Sequence, residues 1–214
     1  MCNIRELKGN DQVYIRELAY LHCQAFPDFF LTQLGEPFLR TLYEGYLDDP
    51  NSGIIVAEDS QSLLGFIAYS NDYPEFYKRL INGKIVQFAW CSFLAVLRHP
   101  MFTKRILGAF KKSESVKKTE KYVELASICV KPSIEGRGVG SALIDYLKTK
   151  VDFNEYAYIN LETDAVNNER AIGFYERNGF AFSGDYITPE GRKMNEYRYS
   201  DSEKRKADID LIME

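Results

Sequence analysis

The sequence is poor in the residues from which metal centres are built. It holds two histidines, His22 and His99, and four cysteines, Cys2, Cys23, Cys91 and Cys129, with no Cys-x-x-Cys pair. That spacing offers no ligand cluster, so no metal is expected, and isolated thiols argue against a disulfide framework. A spanning helix needs about 20 apolar residues, and no such run exists. The longest, Ile85 to Leu97, has thirteen and suits a core helix or a surface-docking segment. No secretory leader is visible, and with free thiols this points to a cytoplasmic location. Positive charge is not in excess: 27 Lys and Arg face 31 Asp and Glu, a net charge of -4. Binding to nucleic acid through overall charge is thereby disfavoured. There is no internal repeat and no low-complexity segment.

What is present is a chain of 214 residues, 45% hydrophobic, long enough for one domain with a sizeable core. "NIRELKGND" reads as a short strand, with Asp11 as N-cap of the next element. Apolar residues then recur at helical spacing from Val13 to Phe26 (Ile15, Leu18, Ala19, His22, Phe26). "EPFLRTLYEGYL" reads as a second helix. "SGIIVAE" and "LLGFIAYS" flank the polar turn "DSQS" and predict a hairpin. Residues 71–121 break the pattern, with three helix-like stretches, "YPEFYKRLI", "VQFAWCSFLAVL" and "PMFTKRILGAF". This segment is basic: Lys78, Arg79, Lys84, Arg98, Lys104, Arg105, Lys111, Lys112, Lys117, Lys118 and Lys121 face only Glu75, Glu114 and Glu120. It reads as an insertion between two strands of one sheet, and a solvated helical face explains its charge as well as a binding patch does. After Lys121, strands and helices alternate: "KYVELASICV", a helix over Val139–Lys150, "YAYINLET", the helix "NNERAIGFYERN", and the strands "GFAFSGDYI" and "KMNEYRYS". The class is α/β (α+β). Residues 1–200 form one domain, and 201–214 a charged tail.

Between "YVELASICV" and the helix at Val139 lies "KPSIEGRGVGSAL". Gly136, Gly138 and Gly140 alternate there, with Arg137 between the first two. Small residues at a strand-to-helix junction let backbone N–H groups converge on an anion, and the helix N-terminus adds partial positive charge. A side chain at any of the three would obstruct close approach. The loop is not a Walker loop, since it ends Gly140-Ser141-Ala142 without lysine. It is not a dinucleotide fingerprint, since counting from Gly138 places Leu143 at the third glycine. A coenzyme A loop and a bare structural turn remain.

Val130-Lys131-Pro132 followed by Glu135-Gly136-Arg137-Gly138-Val139-Gly140 resembles the loop of the GCN5-related N-acetyltransferase (GNAT) superfamily, Q/R-x-x-G-x-G/A, with Glu135 at the Q/R position. Asn168, Ala171, Tyr175, Gly179 and Phe180 match that family's N-x-x-A-x-x-x-Y-x-x-x-G-F block, in order and at the right spacing. The resemblance covers residues 122–199 well. It implies a mixed central sheet whose fourth and fifth strands splay apart, with a helical insertion between strands 3 and 4. It implies acetyl-CoA as acyl donor, its diphosphate on the main chain of Gly136, Arg137, Gly138, Val139, Gly140 and Ser141, and its pantetheine along Ile128 and Val130. Asn168 and Ala171 would contact the coenzyme, although Asn168 is equally well placed as an N-cap.

The same resemblance assigns two catalytic candidates. Tyr175 is the acid that protonates the leaving thiolate; a core tyrosine is the alternative. Glu124, in the apolar setting "YVELAS", is the base that deprotonates the amine; a solvent-facing strand residue is the alternative. Glu162 is a weaker candidate. The acceptor is expected to be a small-molecule primary amine, an amino sugar or nucleotide-linked amino sugar among the options. Phe29, Phe30 and Tyr73, with Phe26, Phe76 and Tyr77, would line its pocket. The basic insertion would attract an anionic acceptor or touch acidic lipid as a peripheral contact. A homodimer stays open. The other function classes are a peptide or protein N-acetyltransferase and a non-catalytic acyl-CoA-binding module.

Overall fold

The structure is a computed structural model that describes residues 2–9, 11–60, 62–98 and 120–201. The chain runs β1 (Asn3–Glu6), α1 (Tyr14–Ala25), α2 (Phe30–Gln33), α3 (Glu36–Asp48), β2 (Ser52–Glu58), β3 (Leu63–Ser70) and α4 (Tyr73–Arg98). It continues with β4 (Tyr122–Val130), α5 (Val139–Lys150), β5 (Tyr158–Asp164), α6 (Glu169–Arg177), β6 (Ala181–Ile187) and β7 (Lys193–Tyr199). The strands form one mixed sheet in the order β1-β2-β3-β4-β5-β7-β6. Every neighbouring pair is antiparallel except β4 and β5, which are parallel.

The near-continuous apolar runs of β2 and β3 follow from a sheet covered on both faces. Alternation sends Ile54, Val56, Phe66 and Ala68 to one core, with Leu18 of α1 and Leu39 and Tyr43 of α3. It sends Ile55, Ala57 and Ile67 to the other, against Leu143, Ile144 and Leu147 of α5. Asp11 does not cap α1. Its carboxylate accepts from the Lys8 amide (2.9 Å) and pairs with Arg5 (3.0 Å), closing the turn ahead of the helix, whose N-cap is Val13.

The segment after β3 differs most from its sequence reading. The first two expected helices are one continuous helix, α4, which runs through Asn82 and Gly83. A mid-helix glycine costs about 1 kcal/mol, and this is outweighed by the burial of Phe76, Leu80 and Phe88 against α3. Phe88 packs on Phe38 with ring centroids 4.8 Å apart. Gly45 of α3 permits the approach, because a Cβ there would collide with Leu80 Cδ1. Phe76, expected in a pocket, is fully buried against Tyr46. The described basic residues of α4 do not form a bare patch: Lys78 pairs with Glu75, Arg79 with Asp49 (2.6 Å), and Lys84 with Asp48 (3.0 Å) and Glu44 (3.6 Å). The third expected helix and the lysines from Lys104 to Lys118 lie outside the described residues. Among the described residues no helix is long and apolar enough to cross a membrane.

Candidate active site

The site begins where the sheet stops being a sheet. β4 and β5 pair over three rungs, Tyr122↔Tyr158, Val123↔Ile159 and Glu124↔Asn160. β4 then continues to Val130 and β5 to Asp164 without further pairing to each other. On its other edge β4 pairs with β3 through a bulge, Ala68↔Ser127 followed by Tyr69↔Leu125, which skips Ala126. The bulge resets the alternation. Val123, Leu125 and Ile128 pack toward α5, whereas Ala126 and Cys129 pack toward α1 and α3. The amide of Lys131 donates to Leu64 O of the β2–β3 side at 2.8 Å. By strand alternation, the main-chain groups of Val130 and Ile128 therefore point the other way, into the seam.

The glycine loop lies at the end of that seam. Gly136 and Gly138 have φ of 79° and 82°, the left-handed region, and a Cβ on either would meet nothing within 4 Å. The space around them is open, and their backbone geometry is what favours glycine. Gly140 is different. Its φ is ordinary, but a Cβ would lie 3.0 Å from the Phe174 ring and 3.5 Å from Val130 Cγ2. Close packing of α5 against α6 and β4, rather than room for a ligand, favours glycine there. The Arg137 amide is used by Ile134 O (3.3 Å), and the first helical bond of α5 runs from Ala142 N to Gly138 O (3.0 Å). Among the described residues, the amides of Gly136, Gly138, Val139, Gly140 and Ser141 have no acceptor. Free first-turn amides at a helix N-terminus fit a diphosphate. Glu135 does not oppose this with a bare charge, because Arg170 of α6 pairs with it at 2.6 Å. Arg137 is exposed beside the loop.

Asn168 occupies the N-cap position of α6 but makes no capping bond. Its Nδ2 donates to Thr163 Oγ1 (2.7 Å) and Asp164 O (2.9 Å), tying the helix start to the end of β5. Ala171 is half-buried one turn on. Tyr175 is half-buried among the rings of Phe174, Phe180 and Tyr197, 5.4 to 6.5 Å away. Burial, with a smaller contribution from the Cys129 thiol, pushes its pKa up to about 12.

Glu124 is 5% exposed and stands on the last rung of the parallel ladder. Asn160 Nδ2 donates to its Oε2 at 2.7 Å. Phenols from four elements lie within its electrostatic reach: Tyr46, Tyr73, Tyr77, Tyr122 and Tyr186 are each raised, chiefly by burial, and each also feels the Glu124 charge. All five are therefore neutral hydrogen-bond donors at physiological pH. Glu162, two residues beyond Asn160 on the same face, accepts from Tyr186 at 2.6 Å.

The mouth on this face is built from the α1–α2 connection and the β6–β7 turn. Phe29 is 38% exposed, and the Arg192 guanidinium lies 5.9 Å from its ring centre while pairing with Asp164. Phe30 is half-buried against the α1–α3 core, and Tyr73 meets Tyr77 edge-on at 4.8 Å.

Behind this mouth, His22 Nδ1 and the Tyr43 hydroxyl lie 2.5 Å apart. His22 is 3% exposed, and burial lowers its pKa from 6.5 to about 4. The fold accepts the neutral ring. The contribution of His22 to stability is therefore complete above pH 6.5, falls by roughly 3 kcal/mol as pH drops toward 4, and levels off below. Melting curves across that window should show this slope in the wild type and lose most of it in His22→Gln. An equal slope in both would place the acid sensitivity elsewhere.

Sequence reasoning missed Asn160, Arg170, and the His22–Tyr43 pair. Asn160 carried a signal, being a polar residue inside the apolar strand "YAYINLET". The others needed tertiary neighbours.

No curated protein matches the chain. Solved structures share its fold. Aminoglycoside 6'-acetyltransferase type Ii is 18% identical, with 92% of this chain and 96% of that one covered and a TM-score of 0.61. The ribosomal-protein-S18-alanine N-acetyltransferase of Escherichia coli is 16% identical, with 94% of each chain covered and a TM-score of 0.53. An acetyltransferase from Thermus thermophilus is 12% identical, with 94% and 97% covered and a TM-score of 0.55. From residue 15 in α1 to Phe180 beyond α6, through the seam and the glycine loop alike, the sequence matches the acetyltransferase (GNAT) family, which uses acetyl-CoA, and the chain belongs to it.

Proposed function

We propose that this acetyltransferase acylates the primary amine of a small molecule, with Glu124 as general base and Tyr175 as general acid. The observation that carries the reading is the position of Glu124: a buried carboxylate on the last rung before β4 and β5 part, at the mouth of the seam. The loop amides from Gly136 to Ser141 would hold the diphosphate of acetyl-CoA, and the main chain of Ile128 and Val130 its pantetheine arm. When bound, acetyl-CoA supplies the thioester whose C–S bond is exchanged for the C–N bond of the product.

The residues divide the remaining work. Glu124 accepts one proton from the incoming ammonium, leaving a neutral amine with a lone pair. Main-chain N–H groups of β4 stabilise negative charge on the acyl oxygen. Tyr175, fully protonated at neutral pH, delivers its proton to the departing sulfur, and the second proton, shed by the nitrogen as the amide forms, restores the phenol. The desolvation that raises this phenol also raises thiols in the same place, as it does the buried Cys129 thiol, so donor and acceptor stay matched.

A small acceptor is favoured over a polypeptide because α4 brings Tyr73 and Tyr77 over the face that holds Glu124. Lys78, Arg79 and Lys84 of α4 offer no bare charge to a nucleotide-linked acceptor, being held by Glu75, Asp49, Asp48 and Glu44. Neutral phenols and the Phe26–Phe29 pair suit an amine on an uncharged sugar or aromatic body. The test is thiol release from acetyl-CoA with tyramine, glucosamine, spermidine and an alanine-started peptide. Turnover with one of the first three supports the reading; turnover with the peptide alone reassigns the acceptor; none with any of the four rejects it.

A further inference from the structure

The acid–base pair leaves one polar side chain of the seam unexplained. Asn160 is fully buried in β5, between Ile159 and Leu161, which pack into the opposite core. Its partner across the ladder is Glu124, and Nδ2 donates to that carboxylate at 2.7 Å. An ionised carboxylate only accepts, so the amide is oriented with nitrogen toward Glu124 and Oδ1 away from it. Oδ1 has no hydrogen-bond partner among the described residues. A buried amide oxygen without a donor destabilises a fold, so such an atom calls for a ligand or a function.

We propose that Oδ1 of Asn160 is the second hydrogen-bond acceptor for the reacting amine. Resting on Glu124 as the base, the assignment is as follows. A primary ammonium carries three N–H bonds. Glu124 removes one proton, Asn160 Oδ1 accepts from a second N–H, and the lone pair released by deprotonation is thereby aimed across the seam. Asn160 is also a positioning residue for Glu124, whose carboxylate it holds through Nδ2. The acceptor is favoured as the occupant because the Glu124–Asn160 rung faces α1, α3 and α4. Ile159 and Leu161 turn toward α5, the helix that carries the glycine loop.

The contact predicts a selective loss. A dimethylated amine keeps a single N–H, which goes to the carboxylate because charge-assisted bonds are stronger. Its binding depends on Asn160 only through the hold of Nδ2 on Glu124, and a variant that keeps a donor there separates the two roles. In Asn160→Ala, kcat/KM for the best primary amine among tyramine and glucosamine is expected to fall roughly 10- to 100-fold, the range for a hydrogen bond to a charged group. In Asn160→Ser, which keeps a donor for Glu124 but lacks the amide oxygen, the inhibition constant of the matching N,N-dimethyl amine should stay within about 2-fold while the primary amine shows the loss, and KM for acetyl-CoA should be unchanged in both variants. Asn160→Ala also frees Glu124 and so weakens both amines, the primary one more; the serine variant carries the test alone should the alanine variant fail to fold. Equal losses for both amines would overturn the inference while leaving the acetyltransferase reading intact. Absence of turnover by the wild type would remove that reading, and this inference with it.

Discussion

Glu124→Gln is expected to lower kcat/KM for an amine acceptor by roughly 10²- to 10⁴-fold, the usual contribution of a general base, with little change in stability. The two halves of that expectation have separate causes. The loss of rate follows from removing the proton acceptor on the final rung between β4 and β5; a glutamine has the same shape but cannot take the ammonium proton. The retained stability follows from Asn160. Its Nδ2 still finds an amide oxygen where the carboxylate oxygen was, at the 2.7 Å seen in the native pair. Glu124→Ala differs, because it strands a buried N–H donor at a cost of about 1–3 kcal/mol. Acceptor basicity supplies an internal control. An amine with a pKa near 10.4 is almost wholly ammonium at neutral pH and depends on the base far more than a weakly basic amino sugar. The rate loss should therefore shrink as acceptor pKa falls. A loss below about 3-fold, far short of the general-base range, for a strongly basic acceptor would move the assignment to Glu162, which lies on the same face and is held by Tyr186.

Tyr175→Phe is the second large effect. It should lower kcat by roughly 10²-fold and leave acetyl-CoA affinity unchanged. Stability should hold or rise slightly. The ring stays packed against Phe174, Phe180 and Tyr197, and removing the hydroxyl spares a polar group its desolvation. The pH profile carries a further signature. With burial lifting the phenol to about 12, Tyr175 contributes no alkaline limb within the ordinary assay range. Any fall in rate below about pH 10 must come from another group, and the Phe variant should keep it. A kcat equal to wild type would make Tyr175 a core residue that happens to match the motif.

The C-terminal half of this fold was legible in its sequence because each element there speaks for itself. The β4 strand, the glycine loop, α5, α6 and the β6–β7 hairpin have short apolar patterns bounded by turn residues, and their boundaries lie within a residue or two of the reading. The α4 region was misread for an energetic reason. Asn82 and Gly83 look like a break, and only the packing of Phe76, Leu80 and Phe88 on α3 shows why the helix continues. The partners of its described cations were illegible for a related reason: Asp48, Asp49 and Glu44, which hold Lys84 and Arg79, are about 30 to 40 residues away in sequence. Gly140 makes the same point on a smaller scale. The motif marks it, but its cause is the Phe174 ring on another helix. Glu135, an acid where the family has Gln or Arg, is likewise balanced from another helix, by Arg170.

Both variants presuppose a cofactor seated on the free amides at the N-terminus of α5, and calorimetry tests that seat most directly. Coenzyme A titrated into the full chain should release measurable heat, and pantetheine, which lacks the diphosphate, should bind at least about 10-fold more weakly, as expected when a helix N-terminus and its amides carry the anion. Equal affinity for the two ligands, or no heat with either, would contradict the account.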